Sequence, residues 1–493
     1  MRGFLRIAVG LLALSLIGGC AAQRASNPKP ETLDAIESEL HRHIEILASD
    51  EFEGRRPGTE GERKTLRYLA DDWEASGLKS GTNDPANPWL APVELTVRTP
   101  QSASIKFRKG TRAAAFPDGQ VRIFTTGQHA LLADAPLMFV GHQGDSLDQS
   151  ILTGRVAVML WDHPERERQR MALLENGAAA VLAIVSEPAE FDQLVAIKQR
   201  GSYRLAGSDE FGAIDGLVSA QAAKDLLGAS QFDALEREAQ SPIFRPKLLN
   251  LTIDLELTST TGTVRTHNLV AKLPGKNSDG KSVVLMAHWD HFGRCGDAVT
   301  GDLICNGAVD NASGLAVLSG VAKRLSDGPM LDRDIYFVAT TAEEWGLLGA
   351  IAFTRDPPVP LDTIVAAFNI DTIAVAPRGG PVAIVGRGLT PLDAQIEAIA
   401  RLLGREVVDN GFSDRFIRRQ DGWVLLQRDV PSLMVSSAFA DPARMEIYTT
   451  ERYHRPGDET AGIELGGAAE DVLLHLALVR HFAARPAAEM PAQ

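Results

Sequence analysis

The sequence has no excess of positive charge, no internal repeat and, after its first twenty residues, no apolar run long enough to span a membrane. Its 50 Lys and Arg against 64 Asp and Glu give a net charge of -14. This balance argues against a nucleic-acid-binding protein, which needs a basic face to neutralise phosphates. With 44% hydrophobic and 23% charged residues, the composition also excludes a disordered or fibrous chain. A length of 493 residues predicts two or three globular units.

The first twenty residues, MRGFLRIAVGLLALSLIGGC, are typical of an export signal. Arg2 and Arg6 precede an apolar run that is too short for a mature transmembrane helix. The end of the segment resembles a bacterial lipobox, in which Cys20 becomes the lipidated first residue. Ordinary signal cleavage nearby is the alternative. We expect a signal peptide over residues 1–20, a polar tether over 21–30, and a lipid anchor on the periplasmic side of the envelope, at the outer membrane.

The remainder divides into a larger α/β unit and a smaller inserted module. Residues 31–124 are predicted to form the N-terminal part of the main domain, and residues 125–245 a compact inserted α/β domain. Residues 246–485 should form the main part, followed by a tail over 486–493. The main part contains runs that are apolar on both faces, which predicts a sheet with helices on each side. These runs are SVVLMAH, DIYFVAT, TIVAAFNID, PVAIVG and PSLMVSS.

Acidic and histidine residues follow several of these strands at the point where each strand ends. His288 and Asp290 follow one strand, and Asp371 ends another. Because ligand sites in α/β proteins lie beyond the carboxyl ends of the strands, these side chains should meet at one sheet edge. The pair Glu343 and Glu344 follows a third strand.

Two further residues come from other segments. Asp310 lies just before a predicted helix, and His454 lies in a late loop. Each candidate has an ordinary structural interpretation, since Asp310 could be a helix N-cap and an acidic pair is common in a solvated first turn. Together, two imidazoles and three carboxylates suit zinc at two neighbouring positions and leave one Glu as a base.

Five motifs occur in an order that resembles the co-catalytic zinc aminopeptidase family, which includes bacterial leucyl aminopeptidase and aminopeptidase Y. They are AHWDHFG, NGAVDNASG, TTAEEWGLLGA, FNIDT and YHRPGDE. The opening segment LASDEFEGRRPGTEGERKTLRYLADDWEASGL is also similar to that family, and the inserted module resembles a protease-associated domain. The resemblance implies a zinc exopeptidase fold, in which a mixed, mostly parallel sheet is sandwiched by helices.

The resemblance also assigns roles to residues. His288 and Asp371 would bind one zinc ion, and Glu344 and His454 the other. Asp310 would bridge both ions. Glu343 would be the general base that takes a proton from the water and passes it to the leaving amine. Asp290 would orient the His288 imidazole.

The segment RQDGWVLLQRDVP departs in part from the family pattern. Arg419 and Asp421 agree with the substrate-bordering motif, whereas Gln420 replaces a Ser and Asp429 replaces a Gly. Arg419, Asp421 and the ligand's neighbour Tyr453 are therefore candidate substrate contacts. Tyr453 is also consistent with a packing role.

Several alternatives stay open at this stage. Cys295 and Cys305 could form a disulfide in an exported protein or remain thiols, and we expect the disulfide. The main expectation is an exported metallo-aminopeptidase that acts on peptides with two zinc ions and does not bind nucleic acid. A carboxypeptidase or dipeptidase of the glutamate carboxypeptidase type is the alternative hydrolase. A receptor-like binding protein without activity is the alternative from another class, and it would lack ligands.

Overall fold

The computed structural model describes residues 30–144, 146–163, 165–208, 212–276, 279–296 and 301–485. The predicted signal segment with Cys20, the predicted tether up to residue 29 and the predicted tail over 486–493 lie outside these residues. Within the described ranges, no helix combines the length and the apolar character that crossing a bilayer requires.

Helices and strands alternate along most of the described chain. The helices are α1 Pro30–Leu47, α2 Glu60–Ala75, α3 Gln149–Leu152, α4 Arg166–Glu175, α5 Pro188–Gln199, α6 Ala220–Leu227, α7 Ala229–Ala239, α8 Ser313–Ser326, α9 Leu348–Arg355, α10 Asp393–Leu402, α11 Gly422–Leu426, α12 Pro442–Glu451 and α13 Gly466–Phe482. The strands are β1 Lys79–Ser80, β2 Leu90–Lys109, β3 Arg112–Ala114, β4 Val121–Thr125, β5 His129–Gly141, β6 Val156–Leu160, β7 Ala180–Val185, β8 Ser202–Leu205, β9 Ile214–Ser219, β10 Lys247–Leu273, β11 Ser282–His288, β12 Gly293–Arg294, β13 Ile304–Cys305, β14 Asp334–Thr340, β15 Ile364–Asn369, β16 Val382–Val385, β17 Val407–Val408 and β18 Ser432–Ser436.

The main domain is built on a sheet in the order β17-β16-β18-β15-β11-β14-β10. The central pairs β14-β11, β11-β15 and β15-β18 are parallel, while β10 and β16 run antiparallel to their neighbours β14 and β18. The strands β11 and β18 are buried along their full length because their residues are apolar or small on both faces. Helices α1, α2, α8 and α13 pack on one face, and α9 and α11 on the other. The predicted sheet sandwiched by helices is present.

The inserted domain continues the same sheet beyond β10, in the order β10-β5-β6-β7-β9-β4. The long strands β2 and β10 pair from Thr252 opposite Arg108 to Leu269 opposite Leu90, and so belong to both domains. Helices α6 and α7 cover one face of the inserted sheet, and α4 and α5 cover the other. This core includes Phe107 and Leu257, so it extends beyond the predicted bounds of 125–245.

The parallel strands bring their carboxyl ends to one edge of the main sheet. Met286 of β11 lies opposite Asn369 of β15, and His288 lies opposite Thr340 of β14. The residues that follow these strands are therefore neighbours in space, although they are about 50 to 80 positions apart along the chain, as parallel connections require.

Candidate metal centre

His288 is the last residue of β11, and it is buried beside two carboxylates. Its Nε2 atom lies 3.1 Å from Oδ1 of Asp310 and 3.4 Å from Oδ1 of Asp371. Nδ1 lies 3.1 Å from the backbone carbonyl of Asp290, while the Asp290 carboxylate is 4.0 Å away. The imidazole is therefore held by the Asp290 carbonyl, which differs from the predicted orientation by its carboxylate.

His454 forms a second group with Asp310 and Glu344. Its Nε2 atom lies 3.4 Å from Oδ2 of Asp310 and 3.0 Å from Oε2 of Glu344. The two oxygens of Asp310 thus face different histidines. Oδ2 of Asp310 and Nε2 of His454 are buried without a hydrogen-bond partner among the described residues. Such atoms need another partner, since an unpaired buried polar atom is costly.

The local backbone turns Asp310 into the site instead of into the helix that follows. Residues Ala308–Ala312 form an irregular turn in which Asp310 has φ -110° and ψ 92°. The carboxylate of Asp458 accepts the backbone N–H groups of Val309 and Asp310 at 3.1 and 3.0 Å. Oδ1 of Asn311 accepts the Gly314 N–H at 2.9 Å, so Asn311 caps α8. The simple N-cap interpretation of Asp310 is thereby replaced.

The buried acidic and histidine side chains of this cluster have shifted pKa values. Burial would raise the pKa of Asp310, but the neighbouring His288 and His454 imidazoles hold that pKa well below its usual range. Burial would lower the pKa of His454, but the neighbouring Glu344 and Asp310 carboxylates raise it to about 9. Burial and the nearby carboxylates of Asp371 and Asp421 raise the pKa of Glu343 well above its ordinary value, although the charge of His288 opposes them.

The donor set fits bound metal. Ligand atoms of His288, Asp310 and Glu344 all lie within 4.8 Å of one another. Imidazole nitrogens and carboxylate oxygens are the ligands that zinc accepts in sites that carry out catalysis. A cation between these groups would also supply the partner that Oδ2 of Asp310 and Nε2 of His454 lack.

Asp290 and Glu343 lie at the start of the turn after β14. The Asp290 side chain is fully buried, and it accepts the backbone N–H groups of Glu343 at 3.1 Å and Glu344 at 3.4 Å. Burial, opposed by His288, raises the pKa of Asp290 to about 8. Asp290 therefore fixes the backbone that carries the predicted base and a predicted ligand. Glu343 itself stays partly exposed.

The residues predicted to contact the substrate differ in their exposure to solvent. Arg419 is exposed, and it donates a hydrogen bond to the Tyr453 hydroxyl at 3.2 Å. The Tyr453 ring stacks on His454 with 3.6 Å between ring centroids. Asp421 is fully buried and accepts a hydrogen bond from Thr340. Its buried position fits a supporting role better than the predicted contact with substrate.

His291 also belongs to this cluster, although its place in the cluster is not predicted from the sequence. This side chain is fully buried, and its Nδ1 atom lies 2.6 Å from Oε1 of Glu344. One oxygen of Glu344 is thus tied to His291 while the other faces His454. The signal was present in AHWDHFG, where a second histidine follows His288 at three positions, but the strand pattern gives no orientation for a residue beyond the strand end.

Cys295 and Cys305 are joined by a disulfide, with their Cα atoms 5.6 Å apart. They lie beside the short strands β12 and β13, which pair Gly293 with Cys305. The backbone carbonyl of Cys295 accepts a hydrogen bond from Arg200 of the inserted domain at 2.9 Å. The loop after His288 is therefore attached to both domains.

Comparison with known proteins identifies the main domain. Residues 268–477 match peptidase family M28. This part of the main domain therefore resembles an M28 peptidase domain. This range contains every predicted metal ligand, and the predicted resemblance to the co-catalytic zinc aminopeptidases is confirmed at the level of family. Whether the inserted unit is a protease-associated domain stays a prediction.

Two curated relatives match short stretches of this chain. The alkaline phosphatase isozyme conversion protein of Escherichia coli (strain K12) is 37% identical over 91 residues, which are 17% of this chain and 26% of that protein. The vacuolar membrane protease of Yarrowia lipolytica (strain CLIB 122 / E 150) is 29% identical over 159 residues, 31% of this chain and 14% of that protein. The chain thus spans about a quarter or less of these relatives.

Solved structures extend the similarity in fold to both domains of this chain. The aminopeptidase from Aneurinibacillus sp. strain AM-1 has a TM-score of 0.57 at 17% identity, covering 91% of this chain and 94% of that one. BSAP, a zinc aminopeptidase from Bacillus subtilis, has a TM-score of 0.52 at 16% identity, covering 91% and 95%. The predicted fold class is confirmed.

Proposed function

We propose that the protein is a zinc-dependent aminopeptidase that uses two zinc ions. The observation that carries the proposal is the position of Asp310, whose two carboxylate oxygens face His288 and His454 separately. A carboxylate shared between two imidazoles suits two neighbouring cations. The names of the similar structures, an aminopeptidase and a zinc aminopeptidase, agree with this assignment.

The ligands divide around Asp310. His288 and Asp371 would hold one ion, Glu344 and His454 would hold the other, and Asp310 would serve both. Bound zinc would polarise the scissile carbonyl and lower the pKa of the attacking water. His291 and Asp290 would keep Glu344 in place through its carboxylate and its backbone N–H.

Glu343 is the group in this site that would move protons. It precedes a ligand, its backbone is fixed by Asp290, and it keeps access to solvent. A carboxylate in this position can take a proton from water as a base and then act as the acid that gives it to the leaving amine. Tyr453, held by Arg419, lies beside His454 where it can contact the substrate carbonyl.

The similar structures favour an amino-terminal substrate over a carboxy-terminal one, since both are named as aminopeptidases. Three arginines of the segment with Arg419 do not decide this point. Arg415 stacks over Phe412 at 5.2 Å, Arg418 stacks over Trp423 at 5.2 Å, and Arg419 is bonded to Tyr453. Stacking occupies the face of a guanidinium and leaves its N–H donors available to a carboxylate, so an experiment has to distinguish the two termini.

We propose further that the enzyme acts outside the cytoplasm and is held by a lipid at Cys20, on the periplasmic side of the outer membrane. The support is the sequence of the first twenty residues, with its two arginines, short apolar run and small-small-Cys end.

A comparison of blocked peptides tests the proposed function. One short peptide is assayed with free ends, with an acetylated amino end, and with an amidated carboxyl end. We expect acetylation to abolish cleavage and amidation to leave kcat/KM nearly unchanged. The reverse pattern would replace the aminopeptidase with the carboxypeptidase alternative. Absence of bound zinc and of turnover on all three peptides would favour the receptor-like alternative.

A further inference from the structure

Arg55, in the turn-rich segment GRRPGTEG, is completely buried although it carries a charge. Its guanidinium donates four hydrogen bonds to backbone carbonyls. Nε donates to Trp289 at 2.9 Å, Nη1 to Leu47 at 2.7 Å and Asn306 at 2.6 Å, and Nη2 to Gly307 at 2.9 Å. All four acceptors are backbone carbonyl oxygens, and none of them is a carboxylate.

Three of the four acceptors belong to segments that carry proposed metal ligands, and the fourth, Leu47, ends α1. Trp289 lies between His288 and Asp290, and Gly307 directly precedes the turn that presents Asp310. The backbone carbonyl of Arg55 also accepts the His291 N–H at 3.3 Å. One residue of the N-terminal segment therefore fixes both the loop after β11 and the turn before α8.

The charge of Arg55 suits its surroundings. Burial lowers its pKa to about 10, against the opposing influence of carboxylates that include Asp310 and Asp458, so the guanidinium remains protonated at neutral pH. Arg55 places a permanent positive charge behind a cluster of buried carboxylates. A neutral residue of the same size would leave several buried carbonyls unpaired and remove this charge.

We propose that Arg55 is a positioning residue of the metal centre, which sets zinc affinity by holding the His288 and Asp310 segments in register. The proposal rests on the proposed function, because it assumes that zinc binds at these ligands. It differs from a purely structural role, which would lower stability without changing the affinity of the folded protein for zinc.

The test measures zinc affinity by competition with a chelator, for the wild type, Arg55→Lys and Arg55→Met. Arg333→Met is the matched control, since Arg333 is also buried and donates to the carbonyl of Phe482. Arg333 precedes β14 at the end of the strand away from the site. Thermal unfolding of each zinc-free protein gives the stability loss, and absorption of the cobalt-loaded proteins reports ligand geometry.

We expect both Arg55 variants to bind zinc about 10–100-fold more weakly, which is the usual effect of removing a group that orients ligands. Their cobalt spectra should change, whereas Arg333→Met should lose stability and keep its zinc affinity and spectrum. If Arg55→Met does not fold, Arg55→Lys decides, because lysine keeps the charge but has only three N–H donors on one atom. Wild-type zinc affinity and an unchanged spectrum in Arg55→Lys would overturn the inference. A wild type that binds no zinc would instead refute the proposed function.

Discussion

At the scale of single residues, Glu343 and Glu344 are adjacent but are expected to do different work. Glu343→Gln should keep its zinc and lose about 10²–10⁴-fold in kcat, because the amide cannot accept a proton from water. Glu344→Gln should lose zinc as well, since its Oε2 atom faces His454 at 3.0 Å. Zinc content and kcat of both purified variants check the prediction. A zinc-loaded Glu343→Gln enzyme with wild-type kcat would remove Glu343 from the mechanism.

The contact between His291 and Glu344 gives a second prediction at this scale. His291→Ala should weaken zinc binding about 10-fold or more, because Oε1 of Glu344 loses the partner that orients it. His41→Ala, at an exposed histidine of α1, is the control and should have no effect. Zinc retained by dialysis against a graded chelator series distinguishes them. Equal retention in the two variants would show that Glu344 needs no support from His291.

The sequence places the proposed ligands at one edge of the sheet but does not predict the residues behind them, for a physical reason. His288, Asp371 and the Glu pair follow recognisable strands, so the geometry of a parallel sheet brings them together. Arg55 and His291 lie in segments without a periodic pattern. Their roles depend on hydrogen bonds to residues as distant as Gly307 and Glu344, which sequence spacing does not give.

At the scale of elements, the strand β11 agrees with its predicted run, while the helix predicted to follow Asp310 directly begins only at Ser313. The predicted helix itself is present in the structure. However, the Asp458 carboxylate accepts backbone N–H groups of the preceding turn, and the Asn311 side chain accepts the Gly314 N–H in the first turn of the helix. The core of the inserted domain also extends beyond residues 125–245, because the paired strands β2 and β10 run through both domains.

Asn311 connects α8 with the strand end that carries Asp371. Its Oδ1 atom accepts the Gly314 N–H, and its side-chain amide donates to the Ile370 carbonyl at 3.0 Å. Asn311→Ala should lower the free energy of unfolding by about 1–3 kcal/mol, because two buried backbone groups lose partners. Asn410→Ala, in an exposed turn, provides a comparison of the same side chain. Equal thermal midpoints for the two variants would contradict this role.

The inserted domain contains a buried ion cluster that predicts a dependence of stability on pH. Asp215 of β9 lies 2.9 Å from Arg170 and 2.7 Å from Lys198. Burial would raise the pKa of Asp215, but these two cations outweigh it and lower the pKa below 3.8. A carboxyl whose pKa is lowered by folding stabilises the protein above its unfolded pKa, and this contribution is lost as the pH falls through the folded pKa.

Asp215→Asn should therefore destabilise the inserted domain by about 3 kcal/mol at pH 7, since two cations lose their counterion. The difference in the free energy of unfolding between Asp215→Asn and the wild type should become smaller below about pH 4, where the wild-type carboxyl also becomes protonated. Urea unfolding at a series of pH values measures this free energy for both proteins. Asp225→Asn, on the exposed face of α6, should follow the wild type throughout. A difference that stays constant down to pH 3 would exclude an electrostatic origin.

At the scale of the whole molecule, the two domains meet beside the metal centre. Arg56 donates to the Arg200 carbonyl at 3.1 Å, and Arg200 donates to the Cys295 carbonyl. The Arg200 guanidinium also lies over Phe292, whose ring centroid is 4.6 Å from that of His454. These contacts make the inserted domain one wall of the site's surroundings, and each of them joins residues between positions 56 and 454, independently of Cys20.

That independence leads to a prediction about the anchor. Cys20→Ser should move the protein from the membrane fraction to the soluble fraction and leave kcat and KM unchanged, because every proposed ligand lies after residue 287. Ser26→Ala, in the predicted tether, should remain in the membrane fraction as the matched control. Mass spectrometry of the mature N-terminus identifies the lipid on Cys20 directly. An unmodified N-terminus at another position, or membrane attachment that survives Cys20→Ser, would mean that this cysteine is not the anchor.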